Sequence, residues 1–194
     1  MNEKQQGFTL IELIIVIIIL GLLAATALPR FIDVTDDARE ASVEGVAGGF
    51  AAAVGLVRSQ WEVDGRIKNN AGANTTTVAY DKVTVGVDGD VGYPTNDGTS
   101  SSLVSAMQQQ DCKDVFDLIL QSAPVNTVDA SQVVQSRYYV QISGAGTSAP
   151  QCIYYLTNSL DTNNTANLPS TGTPDGSATD GFSYFPATGQ VTVF

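Results

Sequence analysis

Hydrophobic positions are distributed very unevenly along this chain, and the first third carries the clearest pattern. From Phe8 to Leu28 there are 21 residues with a single charge, Glu12. At about 1.5 Å rise per residue a helix of this length spans roughly 31 Å, close to the hydrocarbon core of a bilayer. A Sec-type signal peptide would have a shorter apolar region and a small-residue site after it, whereas here the small residue, Gly7, precedes the run. Beyond Pro29 the pattern turns amphipathic: Val43, Val46, Phe50, Val54, Val57 and Trp61 recur at spacings of three or four, while Asp36, Asp37, Glu40 and Glu44 fall mostly off that stripe. One long helix is therefore expected to about Val63, stopping at Asp64 and Gly65. Gly21 and Pro29 should loosen or kink it near Ala24 to Leu28, because proline lacks an N–H and crowds the carbonyl four residues back. Gly45, Gly48, Gly49 and Gly55 give the second half a smooth side, against which either the chain's own sheet or another subunit's helix can pack; the intrachain reading is preferred.

The remainder alternates shorter signals. Asn69 to Thr77 has no period and reads as a loop. Lys82 to Asp88 places Val83, Val85 and Val87 on one face and is the first expected strand, closed by the turn signal Asp88-Gly89. Gly92-Tyr93-Pro94 leads into another loop, and Ser102 to Gln110 and Lys113 to Ser122 read as short helices, the second stopped by Pro124. Arg137 to Ser143 and Gln151 to Thr157 should pair antiparallel, and Phe182 to Phe185 with Gln190 to Phe194 should form a hairpin around PATG. Ser159 to Gly181 is rich in Asn, Thr, Gly and Pro and reads as a long exposed loop. The fold class expected is α+β: a long N-terminal helix laid against a small antiparallel sheet.

Cutting after Gly7 would remove a short polar leader and leave the apolar helix with Phe8 as its first residue. Glu12 would then stand one turn from a new amino group, and an ionised carboxylate at membrane depth costs about 2.5 to 3.5 kcal/mol on insertion scales. Such a charge needs a partner, either its own amino group or that of a neighbouring subunit. At Gly7, Phe8, Thr9, Leu10 and Glu12, with Gly21 and Pro29 downstream, the chain resembles the type IV pilins. The resemblance implies that a membrane prepilin peptidase cuts between Gly7 and Phe8 and methylates the new amino group of Phe8. It also implies that Glu12 pairs with the N-terminus of an adjacent pilin subunit, that inner-membrane assembly machinery builds the filament, and that the fold is that of a type IV pilin. The segment from Pro29 to Arg66 looks like the MSHA-type branch, and Tyr80 to Thr95 and Cys112 to Pro124 look like its MshB-type minor members.

On this reading residues 1–7 are a leader, 8–28 a membrane and filament-core helix, 29–63 its amphipathic second half and 64–194 an extracytoplasmic head. Lys4 on one side and Arg30 and Arg39 on the other leave the charge rule for orientation nearly balanced, so the motif and the cysteines place the N-terminus in the cytoplasm. The precursor is then a single-pass inner-membrane protein and the product an extracellular pilus used for adhesion, surface attachment or biofilm formation. A pseudopilin of a type II secretion system shares the helix and is the alternative.

Composition narrows the chemistry. Twenty acidic against nine basic residues give a net charge of −11, unsuited to nonspecific nucleic-acid binding; the nearby Arg58, Arg66 and Lys68 are expected to be scattered, solvated charges. The chain contains no histidine, so the familiar Ser-His-Asp and Cys-His catalytic sets are excluded, and neither enzymatic activity nor a cofactor is expected. Cys112 and Cys152, in a head outside the cytoplasm, are expected to form a disulfide, the alternative being two free buried thiols. Asp161, Asn163, Thr165 and Asn167 alternate at oxygen-donor spacing, and Asp88 with Asp90 makes a second acidic pair. The run lacks the glycine and terminal glutamate of a calcium loop, so a solvated loop is the preferred reading.

Overall fold

A computed structural model describes residues 8–160, 168–169 and 179–194. The helix α1 runs from Leu10 to Val63 and passes through Gly21 and Pro29 as one helical element. Thr26 Oγ1 donates to the carbonyl of Leu23 at 2.9 Å. The helix ends where expected, by a Schellman motif: Arg66 N–H bonds the carbonyl of Trp61 at 3.0 Å and Gly65 N–H that of Glu62 at 3.1 Å. Gly65 takes the left-handed conformation that this cap requires, at φ 86°.

Contacts divide the chain into two units, one ending at Ala41 and the other Ser42–Phe194. In the second unit the expected stripe is the buried face of α1. Val43, Phe50, Val54, Val57 and Trp61 are 3 % exposed or less, Val46 packs half-buried beside them, and Ala47 and Ala53 complete the face. The glycine side behaves differently from the preferred reading. A Cβ at Gly45, Gly48 or Gly55 would meet nothing within 4 Å, and one at Gly49 would only touch Leu120, so no sheet packs there.

Two sheets share this unit. The first joins β1 (Thr76–Tyr80), β2 (Val83–Val87) and β3 (Pro94–Asn96), all antiparallel. Here β1 begins inside the stretch read as a loop and β3 lies in another. The β1–β2 turn is made by Asp81 and Lys82, both at positive φ, a two-residue type I′ arrangement without the usual Asn-Gly signal. Only part of β2 behaves as its alternation suggested: Val85 and Val87 are buried, while Val83 is 37 % exposed.

The second sheet has the order β4-β5-β6-β7-β8, from Asn126–Thr127, Tyr138–Ser143, Gln151–Leu156, Gly181–Phe185 and Gln190–Val193. The β5–β6 and β7–β8 pairings are antiparallel as expected, whereas the short β4 joins β5 in parallel. Both faces of the central strands are covered. Tyr138, Val140, Ile142, Tyr154, Phe182 and Tyr184 face the main core with Phe50, and Tyr139, Ile153 and Tyr155 face a second cluster with Val133 and Leu168. Leu168, from the stretch read as an exposed loop, is thus a buried anchor at 7 % exposure. Among the described residues one α-helix follows α1: α2 (Gln109–Ile119), preceded by a 3-10 turn at Val104–Ala106. Its start lies four residues before the expected Lys113 because Gln108 and Asp111 form a capping box.

The cysteines are joined. Cys112 of α2 and Cys152 of β6 form a disulfide with Cα atoms 5.5 Å apart, and both are fully buried. Tyr154 Oη donates to the carbonyl of Cys112 at 2.8 Å and ties the same two elements together.

Candidate functional site

The first turns of α1 carry the chemistry the sequence singled out. Thr9 is the N-cap and Glu12 the third helical residue. Thr9 N–H and Thr9 Oγ1–H donate to Glu12 Oε2 at 2.8 and 2.7 Å, and Glu12 N–H returns a long bond of 3.3 Å to Thr9 Oγ1. This is a capping box, legible as Thr-x-x-Glu before an apolar run yet missed by sequence reasoning, which weighed Glu12 only as a charge in that run. It gives Glu12 a local duty, because its carboxylate satisfies helix-start donors that have no carbonyl to bond. One oxygen does all of this; among the described residues no group reaches Oε1.

Around this charge lies bare hydrocarbon. Phe8 is 94 % exposed, and the large apolar side chains from Leu10 to Leu28 all stay exposed. Leu10–Leu28 has a mean hydropathy of 2.8 with none of it buried, and is long and apolar enough to cross a bilayer. A stripe of aliphatic side chains on every side of a helix is not stable facing water, so a lipid or protein environment must cover it. Gly7 lies outside the described residues; Gly21 and Pro29 lie within α1.

Elsewhere the polar groups are spent on structure. Asp88 is buried, accepting from Asp90 N–H and Val104 N–H at 2.8 Å each, while Asp90 pairs with Lys68. That acidic pair shapes a turn. Arg58 sits 4.5 Å from the centre of the Tyr93 ring and shares Glu62 with Arg66, while Lys68 pairs with Asp90, so each of the three basic residues is engaged locally. Among the described residues no group of three or more acidic or thiol ligands is placed to hold a metal. Asp161 and Asn163, the weak calcium candidates, with Thr165 and Asn167, lie outside the described residues.

Comparison with known proteins falls on the same segment. The family described as the prokaryotic N-terminal methylation motif matches residues 3–28. The chain is 47% identical over 57 residues to the type IV narrow pilus major component PilA5 of Thermus thermophilus, covering 29% of this chain and 49% of that protein. It is 52% identical over 54 residues to the type IV major pilin protein PilE1 of Neisseria gonorrhoeae, covering 28% and 33%. With a fimbrial protein of Moraxella nonliquefaciens the identity is 37% over 85 residues, covering 43% and 55%. The chain thus spans about a third to a half of the length of the curated relatives it matches. No solved structure gives a significant match. A methylation motif on a bare apolar helix, followed by a small antiparallel sheet and one disulfide, is a type IV pilin-like architecture, and over its N-terminal segment the chain is similar to type IV pilins.

Proposed function

We propose that this protein is a structural subunit of a type IV pilus, built into the filament through Phe8–Leu28. The observation that carries this reading is the wholly exposed apolar segment of α1, crossed by one carboxylate with a free oxygen at its foot. No head of this size can cover that surface within its own chain, whereas a bundle of identical helices can. Prepilin peptidase cuts between Gly7 and Phe8 and methylates Phe8, the membrane holds the precursor with its N-terminus in the cytoplasm, and the assembly machinery extracts it into an extracellular fibre. Glu12 keeps Oε2 on Thr9 while Oε1 receives the N-terminal ammonium of an adjacent subunit. Residues 29–63 carry the head, 64–194, outward. The finer assignment to an MSHA-type pilus serving adhesion or biofilm formation rests on the segments from Pro29 to Arg66, Tyr80 to Thr95 and Cys112 to Pro124.

Electron microscopy of sheared cells with immunogold labelling tests the reading. Label along extracellular fibres, on protein whose first residue is methylated Phe8, is the expected result. Fibres assembled from protein that retains its first seven residues would sink it. Short periplasmic polymers without surface fibres would assign the chain to a type II secretion pseudopilus instead, and label only at fibre ends would make it a minor subunit.

A further inference from the structure

The five-stranded sheet ends at β8 in an edge that nothing in the described molecule closes. Gly181 and Phe194 exchange both backbone hydrogen bonds, at 3.1 and 3.0 Å. By the antiparallel alternation, Ser183 with Thr192 and Phe185 with Gln190 are the next bonded pairs. The N–H and C=O groups of Val191 and Val193 therefore point away from β7, and none of them has a partner among the described residues. The edge at β1 is handled differently: the Asn70 carboxamide accepts from Thr77 N–H at 2.8 Å and donates to Thr77 O at 2.9 Å, occupying the outward groups. At β8 no side chain among the described residues does this. The strand Gln190-Val191-Thr192-Val193 is short but contains no charge and no proline, and its register with β7 is unbroken, so it has none of the charge, proline or bulge that commonly blunts an edge.

We propose that β8 pairs antiparallel with β8 of a second copy of this chain, about a two-fold axis at Thr192. In that register Val191 lies opposite the partner subunit's Val193 and exchanges both backbone bonds with it, and the symmetry repeats the exchange. Thr192 meets the partner subunit's Thr192 in the close, non-bonded pair, and the two five-stranded sheets become one. The occupant is a second copy because the strip is self-complementary in just this register and, in a chain of net charge −11, brings no like charges together. β-Branched valines opposite one another are also a favourable cross-strand pair. A two-fold contact closes on itself and cannot extend a helical filament. On the pilus-subunit reading, which this consequence rests on, it joins heads of neighbouring filaments side by side. Each contact is small and weak alone, and repetition along two filaments makes it effective.

The test uses the full chain in detergent, with amide hydrogen exchange followed from dilute to concentrated solution. The amides of Val191 and Val193 should exchange freely when dilute and slow about tenfold or more on concentration, while that of Thr192, already bonded to β7, changes little. Thr192→Cys should form an interchain disulfide, with the Cys112–Cys152 bond kept. Adding Val193→Lys at this exposed position should abolish that link and the concentration-dependent protection without lowering the melting temperature. Exchange that stays fast at every concentration, protection that does not depend on concentration, or an interchain link in Thr192→Cys that is indifferent to Val193→Lys would each overturn the proposal. If the unsubstituted chain shows no edge pairing by these measures yet builds normal fibres, the proposal fails and the polymer reading stands; edge pairing in an unsubstituted chain that builds no fibres would do the reverse.

Discussion

At the scale of the residue, Glu12 has an observed duty as a helix cap and a proposed one as an intersubunit partner. Thr9 binds one of its oxygens and leaves the other open. Removing the hydroxyl with Thr9→Ala should cost the helix start about 1 kcal/mol, the usual worth of an N-cap, and leave the carboxylate charged. Glu12→Ala removes the cap and the charge together, and a neighbouring ammonium left unpaired in the filament core costs about 3 to 5 kcal/mol. Fibre counts should therefore fall modestly in Thr9→Ala and nearly to zero in Glu12→Ala. Equal losses in the two variants would make capping, and not intersubunit pairing, the carboxylate's role. That the residue matters was legible from sequence, since a lone acid in an apolar run is costly in any setting. That Thr9 occupies one of its oxygens was equally available in the Thr-x-x-Glu spacing.

Among the elements, α1 and the second sheet meet through aromatic side chains. Phe50 is fully buried, with ring centroids of Tyr184, Tyr154, Phe182 and Phe116 between 5.3 and 6.0 Å away. Phe50→Ala should destabilise the head by about 3 to 5 kcal/mol, the range for a large buried aromatic replaced by a cavity. The disulfide acts on a different state: closing a 40-residue separation restricts the unfolded chain, for about 4 kcal/mol by the entropy model. Denaturant titration of Cys112→Ala/Cys152→Ala should show a loss of that order with a steeper slope, because the unlinked denatured chain exposes more surface. Helical periodicity predicted the buried stripe on α1 because a period of three to four needs only local sequence to read. The β1 and β3 strands escaped because Thr76–Tyr80 and Pro94–Asn96 are short, polar at one end and flanked by turn residues. Their identity as strands comes from pairing with β2, which is a long-range event.

Over the whole molecule the acidic excess is felt at α2, where Asp111 and Asp114 stand near other carboxylates. Burial is the largest influence holding Asp111 above the ordinary carboxylate range, with Asp114 and Asp97 adding repulsion against the lowering bond from Gln108 N–H. Asp114 is raised first by burial and then by Asp97 and Asp117, against the Gln110 hydrogen bond and Lys113. A carboxyl raised on folding holds its proton more tightly in the native state than in the unfolded one. Stability from these groups is accordingly gained on acidification through the window just above the ordinary aspartate range and lost as pH rises through it. Asp114→Asn should flatten that part of the melting temperature against pH and leave neutral-pH stability the same or slightly higher. A steeper profile in the variant would contradict the assignment.

Sequence alone determined the long helix, its cap at Gly65 and its buried stripe, because each of these depends on neighbours within a turn or two and on the cost of exposing apolar surface. The Cys112–Cys152 pairing was also anticipated from composition and compartment. Only the tertiary structure decided that the glycine side of α1 stays uncovered, that Leu168 anchors a second cluster, that Asp88 and Asp90 shape a turn, and that β8 is left as an open edge. These depend on which distant segments meet, and the free energy that chooses among such meetings is summed over the whole packed head, so no local pattern records it.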